Sequence, residues 1–178
     1  PAIGAGTTGN TTVCGPVQLC FNLSLYESNH ESTTYTVNFG DGSPTQTFNH
    51  PPPDQVCHDY SLSSCAGGSA YVFSVIANNV CSFSEGTISP IVIYAPPTSE
   101  FIADPVPQCV NAPVTMINLS EMGYYTNCTS NGTFIWNFGD GSAEVVAVTN
   151  SDQVHTYTDA GTYTVTLTAF NACNVGDP

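Results

Sequence analysis

Two aspartates, each set between glycines, are the first residues in this chain whose type and position could do chemistry. Asn38-Phe39-Gly40-Asp41-Gly42-Ser43 returns unchanged as Asn137-Phe138-Gly139-Asp140-Gly141-Ser142, ninety-nine positions later. A carboxylate at a turn tip can act as an acid, ligate a cation or accept hydrogen bonds from its own turn. A calcium loop wants several carboxylates in a short stretch, as in Asp-x-Asp-x-Asp-Gly, and each motif here has one. Asp41 and Asp140 are therefore weak calcium candidates, even with help from Asp54 or Asp152. The stronger reading is structural: Asp-Gly supplies the positive torsions of a tight hairpin turn, and the carboxylate accepts from nearby backbone amides.

The histidines repeat as well. His58-Asp59-Tyr60 matches His155-Thr156-Tyr157, each preceded by Asp-Gln-Val at 54–56 and 152–154. Residues two apart share one side of a strand, so each histidine points the same way as its tyrosine. Equivalent placement in two distant segments marks them as structural rather than as halves of one site. A hydrolytic triad needs a nucleophile and an acid converging on one histidine, and no repeated feature offers that. No catalytic residue and no cofactor is expected.

Position sorts the eight cysteines. Cys14 and Cys109 precede the first core strand of their segments, while Cys81 and Cys173 follow a long strand at Asn79-Val80-Cys81 and Asn171-Ala172-Cys173. The expected pairs are 14 with 81 and 109 with 173, each closing a loop worth on the order of 4 kcal/mol in the chain-entropy model. Cys57 and Cys65 could staple a local loop; zinc held by Cys57, His58 and Cys65 is disfavoured because adjacent strand residues point apart. Aligning Asn22-Leu23-Ser24 with Asn118-Leu119-Ser120 sets Cys20 opposite Met116, an apolar position that suits a buried free thiol. Cys128, in a loop, has no assigned partner.

The elements that must hold these residues are strands. Tyr35 and Val37 lead into the first Gly-Asp-Gly, and Phe134 and Trp136 into the second. Val17-Gln18-Leu19-Cys20-Phe21-Asn22-Leu23-Ser24 is strand-like, and its ending recurs after Val114-Thr115-Met116-Ile117. Tyr71-Val72-Phe73-Ser74-Val75-Ile76-Ala77 aligns with Tyr163-Thr164-Val165-Thr166-Leu167-Thr168-Ala169, where apolar residues alternate with threonine as on a half-buried strand. Nothing has helical period and turn signals recur throughout, so the fold class is all-β, two antiparallel β-sandwiches in tandem. Their inner faces should bury Val37, Phe39, Phe73 and Val75, and Trp136, Phe138, Val165 and Leu167.

Pro96-Pro97 marks the junction, giving domains 1–95 and 96–178. A diproline is stiff and extended, so the sandwiches should be joined end to end. Residues 1–13 read as a linker or a loose first strand. Unit one runs on from Cys81 through Ser89-Pro90-Ile91-Val92-Ile93-Tyr94, a final strand that unit two lacks. The expectation is that this strand is continued by a longer array, with donation by another chain as the other route.

Composition excludes several functions. The chain has 14 acidic residues and no Lys or Arg. Affinity for nucleic acid and for anionic membranes rests on cations, so neither is an expected partner. Without lysine there is no Lys-Asn isopeptide crosslink, no Schiff base and no tryptic site. No apolar run approaches the roughly 18 residues of a membrane span, so no membrane insertion is expected. The start at Pro1 suggests a processed piece, and the cysteines favour an oxidising, extracellular setting. Sequons at Asn10, Asn22, Asn118, Asn127 and Asn131 are no more than such a composition yields by chance.

With these anchors in place, the chain resembles a tandem of PKD domains, immunoglobulin-like sandwiches whose motifs are an aromatic strand entering Phe-Gly-Asp-Gly, then His-x-Tyr, then Gly-x-Tyr-x-Val-x-Leu. Unit two carries Trp136 to Gly141, His155-Thr156-Tyr157 and Gly161-Thr162-Tyr163-Thr164-Val165-Thr166-Leu167. Unit one departs with Val37 for the tryptophan, Ser69 for the glycine, and an insertion bearing Cys57 and Cys65. The cysteine frame is similar to repeats of very large Bacteroidetes surface proteins, including gliding adhesins of the SprB type exported by type IX secretion. That resemblance implies a cell-surface stalk or fibre, with neighbouring repeats or other filament subunits as partners. The other function it admits is a protein- or carbohydrate-binding accessory module of a secreted hydrolase, with Tyr124-Tyr125 as the glycan platform.

Overall fold

The computed structural model describes residues 1–68 and 70–174; Ser69, set above against the motif glycine, lies outside them. Contacts divide the chain into two compact units, Pro1–Tyr94 and Ala95–Pro178. Unit one is built from β1 (Gly4–Thr7), β2 (Thr12–Cys14), β3 (Val17–Ser24), β4 (Thr34–Asn38), β5 (Gln46–Asn49), β6 (Gln55–Tyr60), a 3-10 turn (Ser64–Gly67), β7 (Tyr71–Asn78) and β8 (Phe83–Tyr94). Unit two follows with β9 (Phe101–Asp104), β10 (Pro113–Asn118), β11 (Gly123–Tyr125), β12 (Thr129–Asn131), β13 (Thr133–Asn137), β14 (Val145–Ala147), β15 (Gln153–Thr156) and β16 (Thr166–Phe170). No α-helix occurs among the described residues.

Unit one is a sandwich of a three-stranded sheet, β1-β3-β6, and a five-stranded sheet, β2-β8-β7-β4-β5. All pairings are antiparallel except β2 with β8, which is parallel. The period of two does the sorting: in β3, Leu19, Phe21 and Leu23 are buried while the residues between them are not. Their partners on the facing sheet include Tyr35, Val37, Phe73 and Val75, all fully buried, and Phe21 stacks on Phe73 at 4.1 Å. Unit two repeats the plan with sheets β15-β10-β9 and β14-β13-β16, plus the small hairpin β11-β12. Trp136 and Phe138 are buried there as expected, but Val165 and Leu167 are only half-buried. Among the described residues nothing corresponds to β8, so the outer edge of β16 has no partner strand.

Register corrects one alignment. Leu19 pairs with His58 across β3 and β6, and Val114 pairs with His155 across β10 and β15. Phe21 therefore corresponds to Met116 and Cys20 to Thr115; the repeated Asn-Leu-Ser is displaced by one residue. Cys20 faces outward rather than into the core, and a one-residue slip is what moves a side chain to the opposite face.

The disulfide frame is also different. Cys20 bonds Cys57, its cross-strand partner, with Cα atoms 4.0 Å apart. That bond rules out both the expected 57–65 staple and a zinc site using Cys57. Cys81 and Cys109 are free and exposed, so the expected 14–81 and 109–173 bridges are not made. The reason is distance along β8: Cys14 pairs with Tyr94 at one end of that strand, while Cys81 lies just before Phe83 at the other. At about 3.3 Å per residue the two are roughly 35 Å apart, far beyond the span of a disulfide. Cys14, Cys65, Cys128 and Cys173 are disulfide-bonded. Ser64, beside Cys65, accepts from Ile93 N at 3.0 Å, next to the Tyr94 that Cys14 pairs with, so Cys65 and Cys14 both lie at that end of β8. In unit two Asn171 donates to Asn131 at 3.1 Å, bringing the β12 hairpin of Cys128 to the turn of Cys173.

Candidate functional site

Each repeated motif folds into one cluster of side chains, and the two clusters match bond for bond. The chain leaves β4 at Asn38 and rejoins the sheet at Gln46, so the motif sits in a loop wider than a two-residue hairpin. Gly40 and Gly42 take the positive torsions, φ +82° and +87°, and Asp41 does not. The first glycine is also required by space, because a Cβ on Gly40 would lie 2.3 Å from the Val72 carbonyl oxygen, and one on Gly139 2.3 Å from that of Thr164. Asn38 and Asn137 accept from the amides of Gly40 and Gly139, closing the entry to each loop.

The carboxylate of Asp41 gathers three donors. Ser43 gives its amide at 3.0 Å and its hydroxyl at 2.6 Å to Oδ1, and His58 Nε2 lies 2.7 Å from Oδ2. Asp140 repeats this with Ser142 at 3.0 and 2.6 Å and His155 at 2.7 Å. Burial pushes the Asp41 carboxyl up, but the Ser43 hydroxyl, His58 and the Ser43 amide outweigh it and hold it below the usual range. For Asp140 the Ser142 hydroxyl contributes most, then His155 and the Ser142 amide, and the shift is again downward.

Each histidine ring is clamped. His58 lies flat on Phe39 at 4.1 Å and edge-on to Tyr60 at 4.8 Å; His155 lies flat on Phe138 at 4.0 Å and edge-on to Tyr157 at 4.7 Å. The tyrosine hydroxyls close the ring of contacts by donating to the carbonyls of Phe39, at 2.9 Å, and Phe138, at 3.1 Å. Behind them Tyr71 stacks on Tyr60 and Tyr163 on Tyr157. Desolvation, followed by the charge of Asp41, pushes the Tyr60 phenol well up.

The sequence does bring serine, histidine and aspartate together, twice, which motif spacing did not reveal. The geometry is not that of a nucleophilic triad. There the acid holds one ring nitrogen and the other takes the serine proton. Here the aspartate occupies Nε2, the nitrogen nearest Ser43, whose Oγ is 3.5 Å away, and the serine proton goes to the carboxylate. An ionised carboxylate only accepts, so Nε2 carries a proton and is no base toward the serine. With its oxygens engaged by three donors, neither aspartate is arranged as a calcium ligand, and no group of three metal-ligating side chains occurs among the described residues.

Sequence reasoning missed a second network, in unit one only. Tyr26 donates to Asp54, Asn29 donates to the Tyr35 hydroxyl at 2.8 Å, and that hydroxyl meets His50 Nδ1 at 2.9 Å. The bond to Asp54, with burial, pushes the Tyr26 phenol up to about 12. Tyr26, Asn29 and His50 lie in loops of unit one, and Tyr35, on β4, is matched in unit two by Phe134, which has no hydroxyl, so no repeat signalled the network. Tyr124 and Tyr125 are adjacent on β11, half-buried, and so point to opposite faces rather than forming one platform.

Residues 101–175 match the family model of the PKD domain. No curated protein matches the chain. Among solved structures, it is similar to the PKD domain of the human VPS10 domain-containing receptor SorCS2, at 18% identity over 51% of this chain and 72% of that one, TM-score 0.41. Two fibronectin type-III domains of chicken tenascin align at 9% identity over 93% of this chain and 87% of theirs, TM-score 0.40. The FN1–FN3 domains of chicken CNTN1 align at 14% identity over 97% and 61%, TM-score 0.27.

Proposed function

We propose that the chain is a structural repeat segment, a stalk or fibre piece of a secreted cell-surface adhesin or extracellular filament, that acts as a stiff disulfide-stapled spacer. Its partners are neighbouring repeats or other filament subunits. The observation that carries this reading is the duplication of the Asp-Ser-His-Phe-Tyr cluster with the same partners in the same roles. In each unit it ties the motif loop to the neighbouring strand, as a frame element would, and leaves no activated nucleophile. Disulfide bonds in both units suit an oxidising, extracellular compartment. The finer assignment to a gliding adhesin draws no added support from the cysteines, whose bonding differs from the frame that suggested it. The glycan-module reading draws none from Tyr124 and Tyr125.

Small-angle scattering on the full chain tests the spacer. The expected profile is that of two units in line, with one fixed separation. Units side by side, or tumbling independently, would overturn it.

A further inference from the structure

The outer face of the β15-β10-β9 sheet of unit two carries an aliphatic centre. Val114 and Met116 of β10 are buried, so Thr115 and Ile117 point away from the core, and register turns Ile102 and Asp104 of β9 and Val154 of β15 the same way. Leu119 continues the row, its amide donating to the Glu100 carbonyl at 2.9 Å. Leu119, Ile102 and Val154 are 46%, 52% and 62% exposed, and Ile117 is half-buried. Exposed carboxylates rim this centre: Glu100 and Asp104 flank Ile102 on β9, and Asp152, which accepts from the Asn118 amide at 2.8 Å, stands on the β15 side. In unit one register sets Asn22, Gly6 and Cys57 where Ile117, Ile102 and Val154 stand, so the fold does not require aliphatic residues here.

We propose that this face is a docking surface for a different polypeptide, one that presents aliphatic side chains beside lysine or arginine. An apolar centre within a charged rim is the anatomy of a protein interface, and here the rim has one sign. The chain cannot neutralise it: there is no Lys or Arg, and His155, the one histidine of unit two, is already bound to Asp140. A second copy would bring the same carboxylates and again no cation, so burying the centre between two copies would gather like charges around it. Phosphates of nucleic acid or of anionic lipid meet the same repulsion. A cationic, aliphatic surface gains on both counts, by burying Ile102 and Val154 and by the attraction of the rim, which steers the encounter. The inference goes beyond the spacer reading, and its failure would leave the scattering result untouched.

A random-peptide library displayed on phage, depleted on the Ile102→Ser, Val154→Ser variant and then panned on the full chain, reads the chemistry of the occupant. Both substitutions fall at exposed positions, so the variant keeps its core. The enriched peptides should carry Lys or Arg next to Ile, Leu or Val. A synthetic copy of the most enriched one should bind the variant at least about tenfold more weakly than the parent chain, and more weakly as salt rises. A control variant, Val146→Ser, Val148→Ser, removes exposed valines in and just after β14, on the other sheet, and should bind as the parent does. No enrichment that depends on Ile102 and Val154, enriched peptides without cations, or an equal loss in the control variant would overturn the proposal. So would self-association of the parent chain that the Ile102→Ser, Val154→Ser variant lacks in sedimentation, which would assign the face to a second copy.

Discussion

His155 Nε2 lies 2.7 Å from Asp140 Oδ2 while the ring lies 5° from parallel on Phe138, and His58 holds the same relation to Asp41 and Phe39. The pair fixes how each unit responds to acid. Both carboxyls are held below their usual value in the folded chain. A depressed folded value means the stabilisation is complete above the unfolded value of about 4 and drains away as pH falls through the folded one. Thermal melting should therefore fall steeply below about pH 4. Asp41→Asn and Asp140→Asn should each lower the melting temperature at neutral pH and flatten the acid limb; unchanged slopes in both variants would refute the account.

The motif glycines differ in what they tolerate. Alanine at Gly40 or Gly139 meets both a positive φ and a carbonyl oxygen 2.3 Å from its Cβ. Alanine at Gly42 or Gly141 meets only the positive φ, with nothing within 4 Å. The second pair should cost about 1 kcal/mol each, and the first clearly more because backbone must shift. Urea midpoints of the four variants give the comparison, and equal losses would mean the close approach to β7 and to Thr164 is not a constraint.

Much of this fold is written locally and so was readable. Alternation places Val37, Phe39, Phe73 and Val75 inside, and all four are buried. What spacing does not carry is which ends of long strands meet. Cys14 and Cys81 flank their unit as a bridged pair would, yet β8 runs its full length between them. The repeated Asn-Leu-Ser sets Cys20 one residue out of register with the period of β3, in which Leu19, Phe21 and Leu23 already claim the inner face. The Asp-His pairing was hidden for the same reason: the partners lie 17 residues apart in unit one and 15 in unit two, joined only by the sandwich.

The Cys20–Cys57 bond closes a separation of 37 residues. In the chain-entropy model that constraint is worth about 4 kcal/mol. Cys20→Ser, Cys57→Ser should lose about 2 to 4 kcal/mol of unit one stability by denaturant unfolding, leaving unit two, which has Thr115 and Val154 at those positions, unmoved. Peptic mapping without reduction should recover the Cys20–Cys57 crosslink and find Cys81 and Cys109 alkylated, since trypsin has no site to cut.

Tyr60 and Tyr157 donate equivalent hydroxyl bonds in unequal surroundings. Tyr60 is 1% exposed, whereas Tyr157 lines an open groove of about 630 Å³ in unit two and is half-buried. Removing the Tyr60 hydroxyl leaves the Phe39 carbonyl dry and short of this donor, so Tyr60→Phe should cost about 1 to 3 kcal/mol. Water can reach the Phe138 carbonyl in place of the lost hydroxyl, so Tyr157→Phe should cost less, within about 1 kcal/mol. Equal losses would show that the difference in exposure does not reach the solvation of the cluster.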